Sequence, residues 1–308
     1  MPKLSVVILT YNEEANLVKC LSSLSGMPWD CFIVDSGSTD RTLELARRFP
    51  VQITRHEFLT HTAQWQWSLE NLPLQTEWVL GLDADQSLSE SLKEEIQLLF
   101  AGGHHVLRLE SLDGLYLNRA HIYRGRLIRH GGCYPKYLLK LFRRSSVYLD
   151  PVADLLDHHF YVRGRTGKLD HDLIEENRKE WRISFWTQKH VRYAELVAEE
   201  EHSSASQRCG TPMDGKFIGG SPDQQIVALK GLWRRMPLYV RPICYFVYRY
   251  FIRLGFLDGK QGFIFHFLHA FWFGLLVDIN LDELRHGSAG PKQQDAAAAT
   301  IGGPSVRP

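Results

Sequence analysis

Two aspartates separated by one residue are the side chains of this sequence best suited to hold a metal ion. Asp83 and Asp85 follow the apolar run 78–82, so both carboxylates lie at the end of a predicted strand, just before a turn. Carboxylate oxygens at such a position suit Mg²⁺ or Mn²⁺, hard cations that commonly bridge a protein to a diphosphate. The pair therefore predicts a metal site with both residues as ligands.

The same stretch has part of the spacing of a calcium-binding helix-loop-helix. Asp83, Asp85, Ser87 and Glu94 match positions 1, 3, 5 and 12 of such a loop. Position 6 is Leu88 instead of glycine, and a strand rather than a helix precedes the loop. The calcium-loop interpretation fails on both counts.

Polar residues also follow the first two predicted strands. They are Thr10, Tyr11, Asn12 and Glu13 after the run 4–9, and Asp35 and Ser36 after the run 32–34. The carboxyl ends of parallel strands meet at one edge of a sheet, where ligands bind. Carboxylates gathered there repel one another unless a cation or ligand offsets their charge, so the convergence of three clusters favours a functional site.

The residues between these clusters alternate between two periodicities. After the first strand, apolar residues recur at helical spacing at Leu17, Cys20, Leu21 and Leu24. Strand and helix patterns then alternate, with short connections, as far as residue 100. This alternation predicts an α/β fold with a mixed, mainly parallel, Rossmann-like sheet between flanking helices.

The whole chain is predicted to fall into four parts. Residues 1–202 form a catalytic domain that ends in a long amphipathic helix over 175–202. Residues 203–232 form a loop or linker, and residues 233–286 form aromatic, basic helices that associate with a membrane. Residues 287–308, rich in Gly, Ala, Ser and Pro, are predicted to be a disordered tail.

Composition excludes several classes of protein. Lys and Arg number 36 and Asp and Glu 35, so a net charge of +1 leaves no basic field for nucleic acid. The five cysteines show no metal-binding spacing, and the N-terminus lacks the apolar core of a signal peptide, so we expect reduced thiols on the cytosolic side. Neither a glycine-rich dinucleotide motif nor a P-loop occurs, which leaves carboxylates and metal to hold a nucleotide.

The aromatic region near the C-terminus suggests contact with a membrane. Residues 238–256 are almost all aromatic or aliphatic, interrupted by Arg241, Arg249 and Arg253 on one helical face. A basic stripe beside an apolar face is typical of a helix that lies in a bilayer interface. The following run 263–281 contains charged and polar residues that make a true span costly. We expect attachment to the surface of the membrane; packing on the catalytic domain or in a dimer stays open.

Taken together, the three clusters resemble family 2 glycosyltransferases of GT-A fold in order and spacing. The stretches that carry the resemblance are 5–14, 34–40 and 82–85. Residues 134–135 and 141–144 are similar to the lipopolysaccharide core glucosyltransferase-like branch, and residues 255–260 to bacterial polysaccharide-cluster enzymes. The resemblance implies inverting transfer from a nucleotide-diphosphate sugar, with Mg²⁺ or Mn²⁺, to a lipid-linked or polysaccharide acceptor at the cytoplasmic face of the inner membrane.

The resemblance also implies roles for particular residues. Nucleotide-binding roles fall on Thr10, Tyr11, Asn12, Glu13, Asp35, Ser36 and Asp83, and metal-binding roles on Asp85 and Asp83. Asp154 takes the place of the catalytic base, although the branch has glutamate there, and Lys140 stands where the branch has arginine. Neighbouring acids stay open as the base, namely Asp157, Asp170, Asp172 and Glu176.

Arginines 124, 126 and 129 suit either a diphosphate or an anionic acceptor, or simply a solvated loop. Because the base motif is altered, a non-catalytic nucleotide-sugar-binding or scaffold protein on the same fold stays open as an alternative. A sugar nucleotidyltransferase is a weaker alternative, since the residues after the first strand are acidic rather than glycine-rich and basic.

Overall fold

The computed structural model describes residues 4–101, 109–149, 159–206, 231, 233 and 235–287. The strands in chain order are Leu4–Thr10 (β1), Asp30–Asp35 (β2), Gln52–Arg55 (β3), Trp78–Asp83 (β4), Gln86–Leu88 (β5), Gly114–Tyr123 (β6), Arg126–Leu127 (β7), Tyr137–Arg143 (β8), Val147–Tyr148 (β9), Tyr161–Val162 (β10) and Thr166–Glu175 (β11). The α-helices are Leu17–Ser23 (α1), Thr42–Ala46 (α2), His61–Asn71 (α3), Glu90–Ala101 (α4), Ile183–Ser206 (α5), Val240–Val247 (α6), Gly259–His266 (α7) and Phe273–His286 (α8).

One large sheet with the order β3-β2-β1-β4-β8-β6-β11-β5 forms the centre of the molecule. Strands β1 to β4 are parallel neighbours, as the alternation of strands and helices predicts. Strand β8 runs antiparallel to both β4 and β6, and β6 is parallel to β11. The predicted mixed α/β sheet is therefore confirmed, with its parallel part in the N-terminal half.

The central strand β1 is apolar on both faces because each face packs against helices. Val6 and Ile8 join the core formed with α1 and α4, whereas Val7 joins the core formed with Trp65 of α3. All four side chains are fully buried. Continuous burial of this kind is what a parallel strand with helices on both faces requires.

Sequence periodicity missed two long strands, β6 and β11. Strand β11 shows no clear alternation because its register with β6 shifts between Lys168 and Asp172. The prediction of one helix over 175–202 is wrong at its start, since residue 175 ends β11 and a 3₁₀ turn over Arg178–Trp181 precedes α5. Helix α5 also continues to Ser206, into the predicted linker.

The C-terminal helices pack against the rest of the protein along one face. Helix α8 lies along α5, and Phe265 of α7 shares a core with Tyr123 and Ile128. The interpretation of the basic stripe as a membrane-facing feature is wrong for two of its arginines. Arg241 is 1% exposed, and Arg249 donates from Nε to the carbonyl of Gly131 at 2.8 Å.

One described helical segment, Gly255–His286, is long and apolar enough to cross a membrane by length and composition, with a mean hydropathy of 1.6. Within that segment 39% of the most apolar stretch is buried inside the protein. The domain boundaries stay a prediction, and the predicted tail over 287–308 lies, except for its first residue, outside the described residues.

Candidate functional site

Strand register brings the three polar clusters to one edge of the sheet. In the β1–β2 pair Thr10 lies opposite Asp35, and in the β1–β4 pair Leu9 lies opposite Asp83. The chain leaves the sheet at the same level in all three strands. The loops that begin at Tyr11 and Ser36, and the turn that carries Asp85, are therefore neighbours.

The Asp35 carboxylate holds the shape of this edge. Its side chain is fully buried, and Oδ2 accepts hydrogen bonds from the backbone amides of Gly37 and Ser38, both at 3.0 Å. Oδ1 accepts from the Thr10 hydroxyl at 3.3 Å. Asp35 thus fixes the turn after β2 and ties it to the end of β1. Ser36 is 7% exposed and belongs to the same buried layer.

The loop after β1 presents half-buried side chains at the edge. Asn12 adopts a left-handed conformation (φ 52°), which asparagine tolerates better than most residues. The backbone amide of Asn12 donates to Ser38 Oγ at 2.9 Å, and its side-chain Oδ1 accepts from the backbone amide of Thr39 at 2.8 Å. The Glu13 carboxylate accepts from Asn16 Nδ2 at 2.7 Å. Tyr11, Asn12 and Glu13 are each half-buried in this loop.

Asp85 lies in a concentration of negative charge. Burial, followed by the carboxylates of Glu175, Glu13 and Asp83, raises the pKa of Asp85 well above its usual value. Among the described residues, no hydrogen bond or ion pair engages its side-chain oxygens. A half-buried carboxylate among other carboxylates is stabilised by a bound cation, and oxygen donors are the ligands that Mg²⁺ and Mn²⁺ prefer.

Asp83 differs from Asp85 because a lysine already partly neutralises it. Lys140 Nζ lies 2.8 Å from Asp83 Oδ2, and the lysine side chain is 5% exposed against 32% for the aspartate.

The described residues contain no group of three or more His, Cys, Asp or Glu side chains placed to hold a metal by themselves. Two carboxylates fit a divalent ion of the kind that takes one or two protein ligands and completes its shell with substrate phosphates and water. The carboxylates of Asp83 and Asp85 are donors of the type that such an ion takes, and their assignment as ligands stays a prediction.

A cleft opens beside Asp83 at the antiparallel side of the sheet. Its polar lining includes Gln86, Arg119, Lys136, His159 and Glu175. Glu175 Oε1 lies 3.1 Å from Arg119 Nη1 and 3.0 Å from His121 Nδ1. Burial opposes the charge of Glu175, but Arg119 and His121 outweigh it and hold the pKa of this carboxyl well below its usual range.

These lining residues escaped the sequence analysis because they lie on β6 and β11, the two strands that periodicity did not reveal. Glu175 and Arg119 come together only through the pairing of those strands. Lys140 was visible in sequence as a departure from a pattern, but nothing in its spacing indicated an ion pair with Asp83, 57 positions away.

The predicted base, Asp154, lies outside the described residues, as does Asp157. His159 and Phe160 follow that segment directly, and both line the cleft, so the chain re-enters the described structure at the site. The other open acids are engaged or exposed. Asp172 accepts from Asn118 at 2.7 Å and Tyr134 at 3.0 Å, Glu176 pairs with Lys19 at 2.7 Å, and Asp170 is exposed.

The N-terminal part of the chain is similar to known proteins. The family model described as Glycosyl transferase family 2 matches residues 5–132. The lipopolysaccharide core biosynthesis glycosyltransferase LpsC of Rhizobium meliloti (strain 1021) is 33% identical over 114 residues, which cover 35% of this chain and 41% of that protein. An uncharacterised glycosyltransferase of Rickettsia bellii (strain RML369-C) is 23% identical over 270 residues, 87% of this chain and 83% of that one.

The chain spans about a third of the length of the first curated relatives that it matches, 34%, 35% and 34% for three of them. Among solved structures, the mannosyltransferase PcManGT from Pyrobaculum calidifontis in complex with GDP-Man and Mn²⁺ superposes with a TM-score of 0.45 and 13% sequence identity. That match covers 94% of this chain and 88% of the other.

Proposed function

Because the model of glycosyl transferase family 2 matches residues 5–132, we propose that the protein is an inverting glycosyltransferase. Its donor is a nucleotide-diphosphate sugar bound with Mg²⁺ or Mn²⁺. Its acceptor is a lipid-linked, lipopolysaccharide or exopolysaccharide molecule at the cytoplasmic face of the inner membrane. The observation that carries the proposal is the register that brings Thr10, Asp35 and Asp83 to one edge, beside the acidic surroundings of Asp85.

The proposed donor site divides its residues between contact and support. Tyr11, Asn12 and Glu13 are half-buried and face the edge, so we assign them to direct contact with the nucleotide. Thr10, Asp35 and Ser36 are buried within the same edge and shape it from behind. Asp83 and Asp85 hold the metal, which when bound neutralises charge on the diphosphate.

The proposed acceptor site is the cleft beside Asp83. For inversion, an acceptor hydroxyl attacks the anomeric carbon while the bond from that carbon to the diphosphate oxygen breaks. The hydroxyl proton passes to a carboxylate, for which we propose Asp154. The guanidinium of Arg119 and the ammonium groups of Lys136 and Lys140 line the cleft and favour an acceptor or leaving group with negative charge.

The acceptor class rests on the relatives and on the C-terminal helices. One relative is named for lipopolysaccharide core biosynthesis, which supports an acceptor of that type. Large apolar side chains of the C-terminal helices remain exposed, for example Phe251 at 54% and Ile252 at 67%, which supports work at a membrane. The assay below also tests other acceptors from the same membrane.

The test is turnover of a panel of UDP-, GDP- and dTDP-sugars by the purified full chain with Mn²⁺, with and without bacterial lipid extract. We expect release of nucleotide from one donor, stimulated by lipid extract and abolished by EDTA. Asp85→Asn should lose activity by a hundred-fold or more, because removal of a group that stabilises transition-state charge costs about that much. Glu70→Gln, which changes an exposed acid near the C-terminal end of α3, is the matched control and should retain activity.

Absence of turnover with every donor, in protein that binds a nucleotide sugar in thermal-shift measurements, would favour the non-catalytic alternative. Full activity of Asp85→Asn would remove the metal assignment and leave the fold assignment intact.

A further inference from the structure

The segment between α6 and α7 exposes large apolar side chains on and between a short π-helix, Tyr248–Ile252, and a 3₁₀-helix, Gly255–Asp258. We call these five residues the apolar tip: Phe251 (54% exposed), Ile252 (67%), Leu254 (46%), Phe256 (42%) and Leu257 (50%). Contiguous exposed apolar surface marks a site of interaction on a folded protein.

The apolar tip is held in a defined shape by the catalytic domain. The carbonyl of Arg253, within the tip, accepts a hydrogen bond from the amide of Gly131 at 2.8 Å. Asp258, next to the tip, accepts from the His130 amide through Oδ2 and lies against His130 Nδ1 through Oδ1, both at 2.8 Å. Leu254 has φ 58°, an uncommon conformation for a leucine. The exposure of these apolar groups is therefore built into the fold.

Positive charge surrounds the apolar tip. Arg253 and Lys260 are exposed within and beside it. Arg126, exposed on β7, packs over Gly259. Its Nη1 would lie 3.3 Å from a Cβ atom placed on that glycine. Between residues 240 and 277 the sequence contains one acidic residue, Asp258, which is 3% exposed and engaged by His130. The surface is apolar at its centre and cationic at its border.

We propose that the apolar tip inserts into the interface of an anionic bilayer, with Arg126, Arg253 and Lys260 against the lipid headgroups. Apolar side chains that enter the acyl boundary and cations that meet anionic lipids are the two contributions that hold a protein on such a surface. This inference deepens the membrane partner of the proposed function and rests on it.

Two other occupants fit the observations less well. In a two-fold dimer through the apolar tip, Arg253 and Lys260 of each copy would approach their own equivalents, and like charges would oppose association. In a spanning arrangement, α8 would have to leave α5. The buried Arg241 prevents this, because its guanidinium lies 2.5 Å from Asp278 of α8 and 2.9 Å from Glu201 of α5.

The arrangement also connects the membrane to the cleft. Strand β6 runs from Arg119 in the cleft to Tyr123, whose ring lies 5.4 Å from that of Phe265 in α7. Four residues of extended strand span about 14 Å. Strand β6 and the contact of Tyr123 with Phe265 therefore join the cleft to the helix that follows the apolar tip.

The test is co-sedimentation of the full chain with vesicles of phosphatidylcholine alone or with 30% phosphatidylglycerol, a proportion of about a third chosen so that the surface is strongly anionic. We expect preferential binding to the anionic vesicles that weakens as salt increases. The double variant Phe251→Ser/Ile252→Ser should bind about ten-fold more weakly or worse. Lys260→Gln and Arg253→Gln should each lower binding about five-fold.

Matched controls come from exposed leucines elsewhere on the catalytic domain. Leu59 is 73% exposed and Leu98 is 56% exposed, and their replacement by serine should leave vesicle binding unchanged. Equal binding by the double variant and the wild-type chain would overturn the proposal. So would a concentration-dependent dimer in light scattering that the double variant abolishes, with no vesicle binding by either protein.

The same variants separate this inference from the proposed activity. The double variant should release nucleotide from the donor in detergent-free solution as fast as the wild-type chain, because its changes lie outside the donor site. Loss of vesicle binding together with intact donor turnover supports the apolar tip as the docking surface. Intact vesicle binding in a protein that turns over no donor would contradict the enzyme assignment alone.

Discussion

Asp278→Asn should destabilise the protein strongly, because it breaks a buried ion pair from one side. Asp278 is fully buried and Arg241 is 1% exposed, with 2.5 Å between Oδ1 and Nε. Asp278 Oδ2 also accepts from the amide of Tyr239 at 2.6 Å. Loss of one partner from a buried pair costs about 3–5 kcal/mol. Glu201 still opposes the arginine charge, so we expect about 3 kcal/mol.

The assay is unfolding in urea and by heating, each followed by tryptophan fluorescence and by circular dichroism. A loss of about 3 kcal/mol corresponds to a fall in Tm of about 6–12 °C for a domain of this class. The control Glu283→Gln, at an exposed position on the same helix, should stay within about 0.5 kcal/mol of the wild-type chain.

A second variant distinguishes the pair from general sensitivity of the helix. The triple change Arg241→Met, Asp278→Leu and Glu201→Gln removes every charge of the network and keeps its volume. Such replacements are often neutral or stabilising. The reasoning would be refuted if Asp278→Asn unfolded with the wild-type midpoint, or if the triple variant lost as much stability as the single one.

Three further perturbations follow from the structure. Lys140→Met removes the ammonium group that lies 2.8 Å from Asp83 Oδ2, so the affinity for Mn²⁺, measured by calorimetry, should rise roughly ten-fold. An unchanged affinity would count against that ion pair. Burial lowers the pKa of His190 and that of His266 to about 4 each. As the pH falls from about 6.5 to 4, each histidine therefore lowers the free energy of unfolding by about 1.4 kcal/mol per pH unit. Urea midpoints that do not change over that range would contradict this. Thr60→Ala removes the cap of α3 and should cost about 1 kcal/mol in the same urea assay, against no cost if the cap contributes nothing.

The sign of the histidine effect follows from proton binding in the two states. A histidine with a lowered pKa in the folded protein stays neutral where the unfolded chain already binds a proton. Between about pH 4 and 6.5 the unfolded state therefore takes up more protons, and the free energy of unfolding falls as pH falls. For His190 and His266 the cause is burial, with the arginine charge of Arg249 adding to it at His266.

The parallel half of the fold and the edge that carries the candidate site were predictable from local sequence. There the polar residues that could bind a ligand directly follow the apolar runs that form the strands. Each parallel strand ends in a polar residue, and the carboxyl ends of neighbouring parallel strands meet at one edge of a sheet. Thr10, Asp35 and Asp83 could be brought together on that ground alone, and the register confirms that they are neighbours.

The antiparallel half was not predictable in the same way. Strand β6 is buried on both faces along most of its length, and the register of β11 shifts, so neither shows a period of two. Arg119, Glu175 and Gln86 meet through strand pairing over long separations, and no local spacing records such a meeting.

Arg241, Arg249 and Arg253 show a different limit. Their spacing placed them on one helical face, but it did not tell whether that face meets water, lipid or protein. Asp278 and Glu201, which bind Arg241, lie about 40 residues away in opposite directions along the chain. Contacts between residues so far apart in sequence depend on how whole helices pack, and sequence periodicity does not reveal that packing.

Calorimetric titration of UDP and GDP into the full chain, with and without Mn²⁺, tests the central claim most directly. We expect Mn²⁺ to tighten binding of one nucleotide by ten-fold or more, because metal and diphosphate share a site. Asp85→Asn should eliminate that coupling, while the control Glu70→Gln should preserve it. Nucleotide binding that is as sensitive to Mn²⁺ in Asp85→Asn as in the wild-type chain would contradict the account.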